Sequence, residues 1–173
     1  MPFYHIHHVT SLSSDQRQAL AKFITNLHSQ TFNTPSLFVN IKFTHISNAE
    51  PEDFFVGGKA VGGKNYILAN VRGGGDRGAE AFEGLAEKVE DAWDAVVIGT
   101  GGRGRGRGKE LHACFVFPGL FGRERGMTLP LAGEDGQWLE DNWYHFEEMA
   151  KNGDDEFKDL IEEVGKRSEL IGK

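Results

Sequence analysis

The stretch SLSSDQRQALAKFITNLHSQTF, residues 11–32, decides the first half of the fold because it predicts one amphipathic helix. Ser13 and Gln16, three residues apart, match the capping box of a helix start. From Leu20 onward, apolar residues recur at the i, i+3, i+4 and i+7 spacing of a single helix face. The helix is expected to end before Pro35, since a residue that precedes proline avoids the helical conformation.

A strand is predicted on each side of this helix, and the same pattern occurs a second time. Segments 2–10 and 38–46 are rich in the aromatic and β-branched residues of strands. The second unit consists of the strand NYILANV (65–71), a helical apolar stripe over 82–93 and the strand LHACFVF (111–117). Two such units can share one four-stranded sheet with helices on one face. We therefore predict an α+β fold, a two-layer sandwich of two fused β-α-β units.

Two further features complete the predicted organisation. Paired glycines at 57–58 and 62–63 indicate turns around a short hairpin-like excursion between the units. Aromatic and aliphatic residues at helical spacing predict helices near the end of the chain. We expect residues 1–136 to form the main domain and residues 137–173 to be a helical extension that packs on this domain or on a neighbouring subunit.

Composition and charge restrict the class of protein. The 173 residues, 39% of them hydrophobic, can form one domain with a sizeable core, and the formal net charge of −7 disfavours general affinity for nucleic acid. No stretch has the length of a membrane span or the pattern of a signal peptide. The single cysteine, Cys114, excludes an internal disulfide. We expect a cytoplasmic protein with no membrane partner.

Pro2 directly follows the initial methionine, and two explanations are open. Proline has no N–H to give a sheet, although the first residue of a strand tolerates it. Alternatively, removal of Met1 would make Pro2 a secondary amine at the chain terminus, which is a base that needs no side chain.

Four side chains elsewhere are candidates for chemistry. His28 ends the apolar face of the first helix, where a histidine is either structural or functional. Arg72 and Arg77 flank a glycine-rich turn after the third main strand, where they could bind a small carboxylate by bidentate hydrogen bonds and the field of a helix N-terminus. Glu124, between two arginines, is either a surface ion-pair partner or a general base that orients water.

Two other clusters point to other classes of function. In a strand, His5 and His7 face one side and His8 the other, so that without a nearby cysteine or suitable carboxylate we predict no metal site. The alternating Gly and Arg tract at 99–110 cannot form a core, and it could contact RNA or an acidic partner. The arginines of this tract are Arg103, Arg105 and Arg107.

Together these elements resemble the tautomerase superfamily, and within it the cis-3-chloroacrylic acid dehalogenase-like group. The resemblance rests on Pro2 followed by Tyr4, on two β-α-β units and on a first helix, ALAKFITNLH, that ends at a histidine. It extends from Pro2 to about Trp143. The paired glycine turns also match that group, as do Leu129 and Pro130 followed by Gly133, Gly136 and Trp138.

The resemblance implies a role for each candidate residue. Pro2 resembles the catalytic proline, and His28 resembles the helix histidine that helps to bind or polarise the substrate. Glu124 resembles the glutamate that activates water in the dehalogenases, although the strand LHACFVF lacks the tyrosine that partners it there. Arg72 and Arg77 lie in the segment that carries the two carboxylate-binding arginines. The resemblance implies a homotrimer with active sites near subunit boundaries. We expect no cofactor and no metal.

We therefore expect a proline-dependent isomerase or hydratase/dehalogenase that acts on a small 2-oxo acid or an unsaturated carboxylate. Apolar surroundings and nearby arginines would lower the pKa of the Pro2 amine, which could then serve as a base when neutral and as an acid when protonated. The alternative is a non-catalytic binding module that holds RNA or an acidic partner with the Arg-Gly tract. A signalling role like that of a cytokine on the same fold is left open.

Overall fold

The computed structural model describes residues 1–46, 50, 52–75, 77–99 and 108–171 of the chain. The arginines of the Arg-Gly tract lie outside these residues. The secondary-structure elements are, in chain order, β1 (Phe3–His8), α1 (Ser14–Phe32), β2 (Asn40–His45), β3 (Phe55–Val56), β4 (Lys59–Ala60), β5 (Asn65–Val71), α2 (Ala79–Trp93), β6 (Leu111–Pro118), β7 (Arg123–Glu124), β8 (Met127–Thr128), α3 (Asp135–Lys151) and α4 (Asp155–Lys166).

The two β-α-β units share one four-stranded sheet in the order β2-β1-β5-β6. Within each unit the two strands are parallel, and β1 and β5 join the units as an antiparallel pair. Parallel strands need a long crossover, which α1 and α2 provide. Both helices pack on the same face of the sheet and form one apolar core with it. The predicted α+β sandwich is confirmed.

Helix α1 begins as the capping box predicts. The Ser13 hydroxyl accepts from the Gln16 backbone N–H at 3.1 Å, and the Gln16 side chain accepts from the Ser13 N–H at 3.0 Å. The helix ends at Phe32, and Asn33 closes it in the left-handed conformation. A 3-10 turn over Ser36–Phe38 follows, so β2 is shorter than the predicted strand.

Aromatic rings stack on the outer face of the sheet, the face without helices. The His5 and His7 rings lie 3.8 Å apart, and His7 stacks on Tyr66 at 4.6 Å. Phe115 and Phe117 are exposed on the same face. Because His8 points to the opposite side, the predicted alternation of the three histidines holds. Within the described ranges, no three metal-binding side chains form a cluster.

Helices α3 and α4 build a second apolar cluster beside the sheet. It includes Met1, Phe38 and Met127 together with buried side chains of both helices. Glu163 of α4 accepts a hydrogen bond from the Ser36 backbone N–H at 3.0 Å, which fixes the helix against the chain entering β2. The expected boundary at 136–137 falls within the first turn of α3.

Between β6 and α3 lies a short hairpin, β7-β8, that the sequence analysis did not predict. The glycine pairs upstream did predict the other hairpin, β3-β4. Arg125 and Gly126 turn the β7-β8 hairpin with φ of 51° and 82°, and Glu124 immediately precedes them. No helix in the described part of the chain is long and apolar enough to cross a membrane.

Candidate active site

Pro2 is buried and directly precedes β1. Its carbonyl accepts a hydrogen bond from the Asn40 backbone N–H at 3.1 Å, which joins the chain terminus to the first residue of β2. The Met1 side chain is only 3% exposed and belongs to the cluster that contains Phe38 and Met127. The first two residues are therefore part of the packed interior.

The amine of Met1 lies among charged side chains. Burial lowers its pKa from 8.0 to about 5, and the positive charge of Arg72 acts in the same direction. The carboxylates of Asp135 and Glu124 oppose this shift, and Arg77 adds a smaller lowering. An amine in this place is neutral at pH 7, because burial disfavours its cation more than the two carboxylates favour it.

His28 lies at the end of α1 next to this terminus and is buried. Its Nδ1 atom is 2.8 Å from the Tyr4 hydroxyl. Burial lowers the pKa of His28 to about 2, and the positive charges of the chain terminus and of two arginines add to the shift. Burial also raises the pKa of Tyr4, so that its hydroxyl keeps its proton. A Tyr4 hydroxyl that donates to Nδ1 leaves the ring proton of the neutral imidazole on Nε2.

Arg72, directly after β5, is held by four acceptors. One terminal nitrogen donates to the carbonyls of Pro130 and Leu131 at 3.2 and 3.0 Å. The other donates to the Thr34 hydroxyl at 3.4 Å and forms a 2.5 Å ion pair with Asp135. The guanidinium is buried, so this ion pair compensates its charge inside the protein. Both terminal nitrogens are thus already engaged.

Arg77, directly before α2, has weaker partners. Its guanidinium lies 4.5 Å above the Phe32 ring and 3.7 Å from Asp135 Oδ2. Its hydrogen bonds to the carbonyls of Arg72 and Phe32 are both 3.4 Å long. Among the described residues, Asp135 Oδ2 is buried and accepts no hydrogen bond. Arg77 is therefore the cation of the pair with more capacity for an added anion.

Glu124, at the end of β7, shares a pocket with Pro2. This pocket has a volume of about 400 Å³, and Asn40, Phe121 and Arg123 also line it. The Asn40 side-chain amide donates to Glu124 Oε1 at 2.9 Å and so holds the carboxylate beside the chain terminus. In the dehalogenases that the sequence resembles, a tyrosine partners this glutamate, and here the partner is an asparagine from β2.

The structure brings Pro2 and Glu124 into one pocket, whereas Arg77 lines a separate pocket with Phe32 and Gly133. Arg72, Arg77 and His28 do not line the pocket of Pro2, and their link to the chain terminus is electrostatic: the two arginines lower the pKa of the Met1 amine, and the charge of the terminus lowers the pKa of His28. The sequence analysis missed Asp135 and Asn40, and it missed the contact between Tyr4 and His28. No local signal marks the first two, since each meets its partner across more than sixty residues of chain.

Known proteins resemble this chain in sequence and in fold. A family model described as "Putative oxalocrotonate tautomerase enzyme" matches residues 1–143. The crystal structure of N1, a member of the cis-3-chloroacrylic acid dehalogenase (cis-CaaD) family, aligns with a TM-score of 0.63 and 22% identity, over 91% of this chain and 99% of that chain. A search of curated proteins found no match.

Two other solved structures share the fold at lower identity. The Q0 fused 4-OT wild type symmetric trimer aligns with a TM-score of 0.55 and 16% identity, over 76% of this chain and 98% of that chain. Leishmania major MIF2 aligns with a TM-score of 0.54 and 14% identity, over 75% of this chain and 97% of that chain. At these identities the three structures establish the fold alone.

Proposed function

The chain belongs to the oxalocrotonate tautomerase-like family whose model matches residues 1–143, and on this premise we propose that it is a proline-dependent enzyme. Removal of Met1 frees the Pro2 amine, which then transfers protons on a small 2-oxo acid or an unsaturated carboxylate. The strongest support is the position of the terminus, where an amine is buried among two arginines, a glutamate and a neutral histidine.

In the first mode Pro2 is a general base. Its amine lies one residue further along the chain than that of Met1, and apolar surroundings and the charges of Arg72 and Arg77 would favour its neutral form. Neutral Pro2 takes a proton from the carbon next to the substrate carbonyl, and the C–H electron pair forms an enolate. The His28 Nε2–H stabilises the enolate oxygen, and Pro2 returns the proton to another carbon or to the oxygen. The result is a tautomerisation without net oxidation.

In the second mode Pro2 is a general acid and Glu124 is the base. Glu124 removes a proton from water, the resulting hydroxide adds to the unsaturated carbon, and protonated Pro2 supplies the proton to its neighbour. Asn40 fixes Glu124 for this step through the 2.9 Å hydrogen bond. Hydration results, and halide is lost where the carbon carries one.

The substrate carboxylate needs a cation in either mode. Arg72 and Arg77 stay the predicted pair, and their surroundings favour a division of labour between them. Arg77, with its long hydrogen bonds, contacts the substrate. Arg72 is fixed by Asp135, and its positive charge attracts the substrate carboxylate without direct contact. A substrate carboxylate at Arg77 competes with Asp135 Oδ2 at 3.7 Å.

We also propose a homotrimer that assembles through the outer face of the sheet. Phe115 and Phe117 are 53% and 50% exposed there, and Phe3 is exposed on the same face, two strands away. Exposed aromatic residues on one face are typical of an interaction surface. The cytoplasmic location and the domain boundary near residue 136 stay predictions.

The deciding experiment replaces Pro2 by alanine. Untagged protein is first weighed by intact mass spectrometry, and turnover is then measured with phenylpyruvate enol, 2-oxo-enoates and halopropenoates. We expect P2A to fold, as judged by circular dichroism, and to lose at least 100-fold in kcat/KM, the low end of general acid–base contributions. The control P118A changes an exposed proline at the end of β6 and should keep full activity. Activity that survives in P2A would refute the mechanism.

A further inference from the structure

We propose that the natural substrate carries an apolar chain or small ring of about the size of a methionine side chain, which occupies the space that Met1 fills. This inference rests on the proposed function and specifies its substrate class. It predicts a preference for unsaturated or 2-oxo acids of about six carbons, or for aryl analogues, over three-carbon acids such as the halopropenoates.

The surroundings of the Met1 side chain define this space. Phe38, Met127 and Leu139 belong to the same cluster and are 2%, 9% and 0% exposed. They come from three separate elements, namely the 3-10 turn before β2, strand β8 and helix α3. A side chain buried among such residues leaves a space when it is removed, because close-packed surroundings relax only in part.

The two ends of Met1 differ in chemistry. Its amine end is influenced by the positive charges of Arg72 and Arg77 and by the negative charges of Asp135 and Glu124, whereas its side chain lies in the apolar cluster. A ligand that fits both ends has an anionic head and an apolar tail. A three-carbon acid reaches only the polar end. An acid with a longer tail also fills the space that the methionine side chain occupies within the apolar cluster.

Burial of the tail should appear as a regular gain in affinity. Each methylene that leaves water contributes about 0.8 kcal/mol, which corresponds to about a fourfold lower Kd. The gain should stop when the tail fills the space of a side chain with about four non-hydrogen atoms, since a longer chain would overpack the cluster. The series therefore has a predicted slope and a predicted end.

The test is a binding titration with saturated straight-chain carboxylates from acetate to octanoate, which do not react. Protein whose mass proves the loss of Met1 is titrated by calorimetry, beside a Pro2→Gln variant that retains Met1 because residue 2 is bulky. We expect Kd to fall about fourfold per methylene from propanoate to hexanoate and then to level off. We expect no binding by the variant with Met1 in place. A flat series, or an equal slope in both proteins, would overturn the proposal.

A second variant should change the chain length at which the affinity for the carboxylates stops rising. Met127→Ala removes part of the wall, and the optimum chain should lengthen by one or two carbons. An unchanged optimum in folded M127A contradicts the assignment of this wall, and if M127A does not fold, the series on the unmodified chain decides alone.

Turnover separates the two proposals. Equal kcat/KM for three-carbon and six-carbon acids would overturn this inference and leave the proposed function intact, whereas no turnover of any acid would overturn the proposed function.

Discussion

Substitution of His28 by glutamine should make the protein less sensitive to acid. The histidine is 1% exposed, and its ring is held neutral with a pKa of about 2 in the folded protein, against about 6.5 in an unfolded chain. The unfolded state therefore binds one more proton than the folded state between these two values. The contribution of His28 to the free energy of unfolding is therefore fully present above about pH 6.5. It falls by about 1.4 kcal/mol per pH unit as the pH drops from 6.5 toward 2.

Between pH 7.5 and pH 4.5 this difference in pKa predicts a loss of between about 2 and 3 kcal/mol from His28 alone. Glutamine can still accept a hydrogen bond from Tyr4, and it does not titrate. The free energy of unfolding is measured by urea denaturation at both pH values for the unmodified protein, H28Q and the control H112Q, whose histidine is exposed.

H28Q should lose between about 2 and 3 kcal/mol less than the unmodified protein over this range, and H112Q should lose the same as the unmodified protein. His8 also has a lowered pKa, but it is present in all three proteins and cancels in the comparison. Equal pH dependence of H28Q and the unmodified protein would refute the view that His28 is held neutral in the folded state.

Two further predictions concern residues that the sequence analysis missed. Asp135→Asn should lower the free energy of unfolding by about 3–5 kcal/mol, because it leaves the buried charge of Arg72 uncompensated. The control is E134Q, which changes the exposed neighbouring residue and should leave the stability unchanged. A change below 1 kcal/mol in thermal or urea unfolding of D135N would contradict the role of the ion pair. Asn40→Ala should lower hydration at least tenfold and leave tautomerisation nearly unchanged, because Asn40 acts through Glu124; an equal loss in both assays would show that it acts on Pro2 or on the fold instead.

Much of the fold could be predicted because its signals are local. The capping box at Ser13 and the apolar face that follows define α1, and the alternation in β1 determines which of its side chains enter the core. The paired glycines predict the β3-β4 hairpin since each turn needs a residue with positive φ. These features depend on residues a few positions apart, where one sequence is informative.

The site could be predicted only in part, because its geometry depends on distant residues. Asp135 meets Arg72 across 63 positions, and Asn40 meets Glu124 across 84. No spacing rule connects such pairs. The role of Met1 is also invisible in the sequence, since its burial requires α3 and α4 to return to the start of the chain.

The most direct test of the central claim is the titration of the Pro2 nitrogen by ¹⁵N NMR on protein labelled at proline. We predict a titrating terminal amine whose pKa lies below 8.0, because burial and the charges of Arg72 and Arg77 lower the pKa of the Met1 amine, which lies one residue before Pro2. A Pro2 nitrogen that does not titrate would show that Met1 is retained. A pKa above 8.0 would show that Pro2 is mostly protonated at neutral pH, which contradicts its proposed role as a base in tautomerisation and leaves only its role as the acid in hydration.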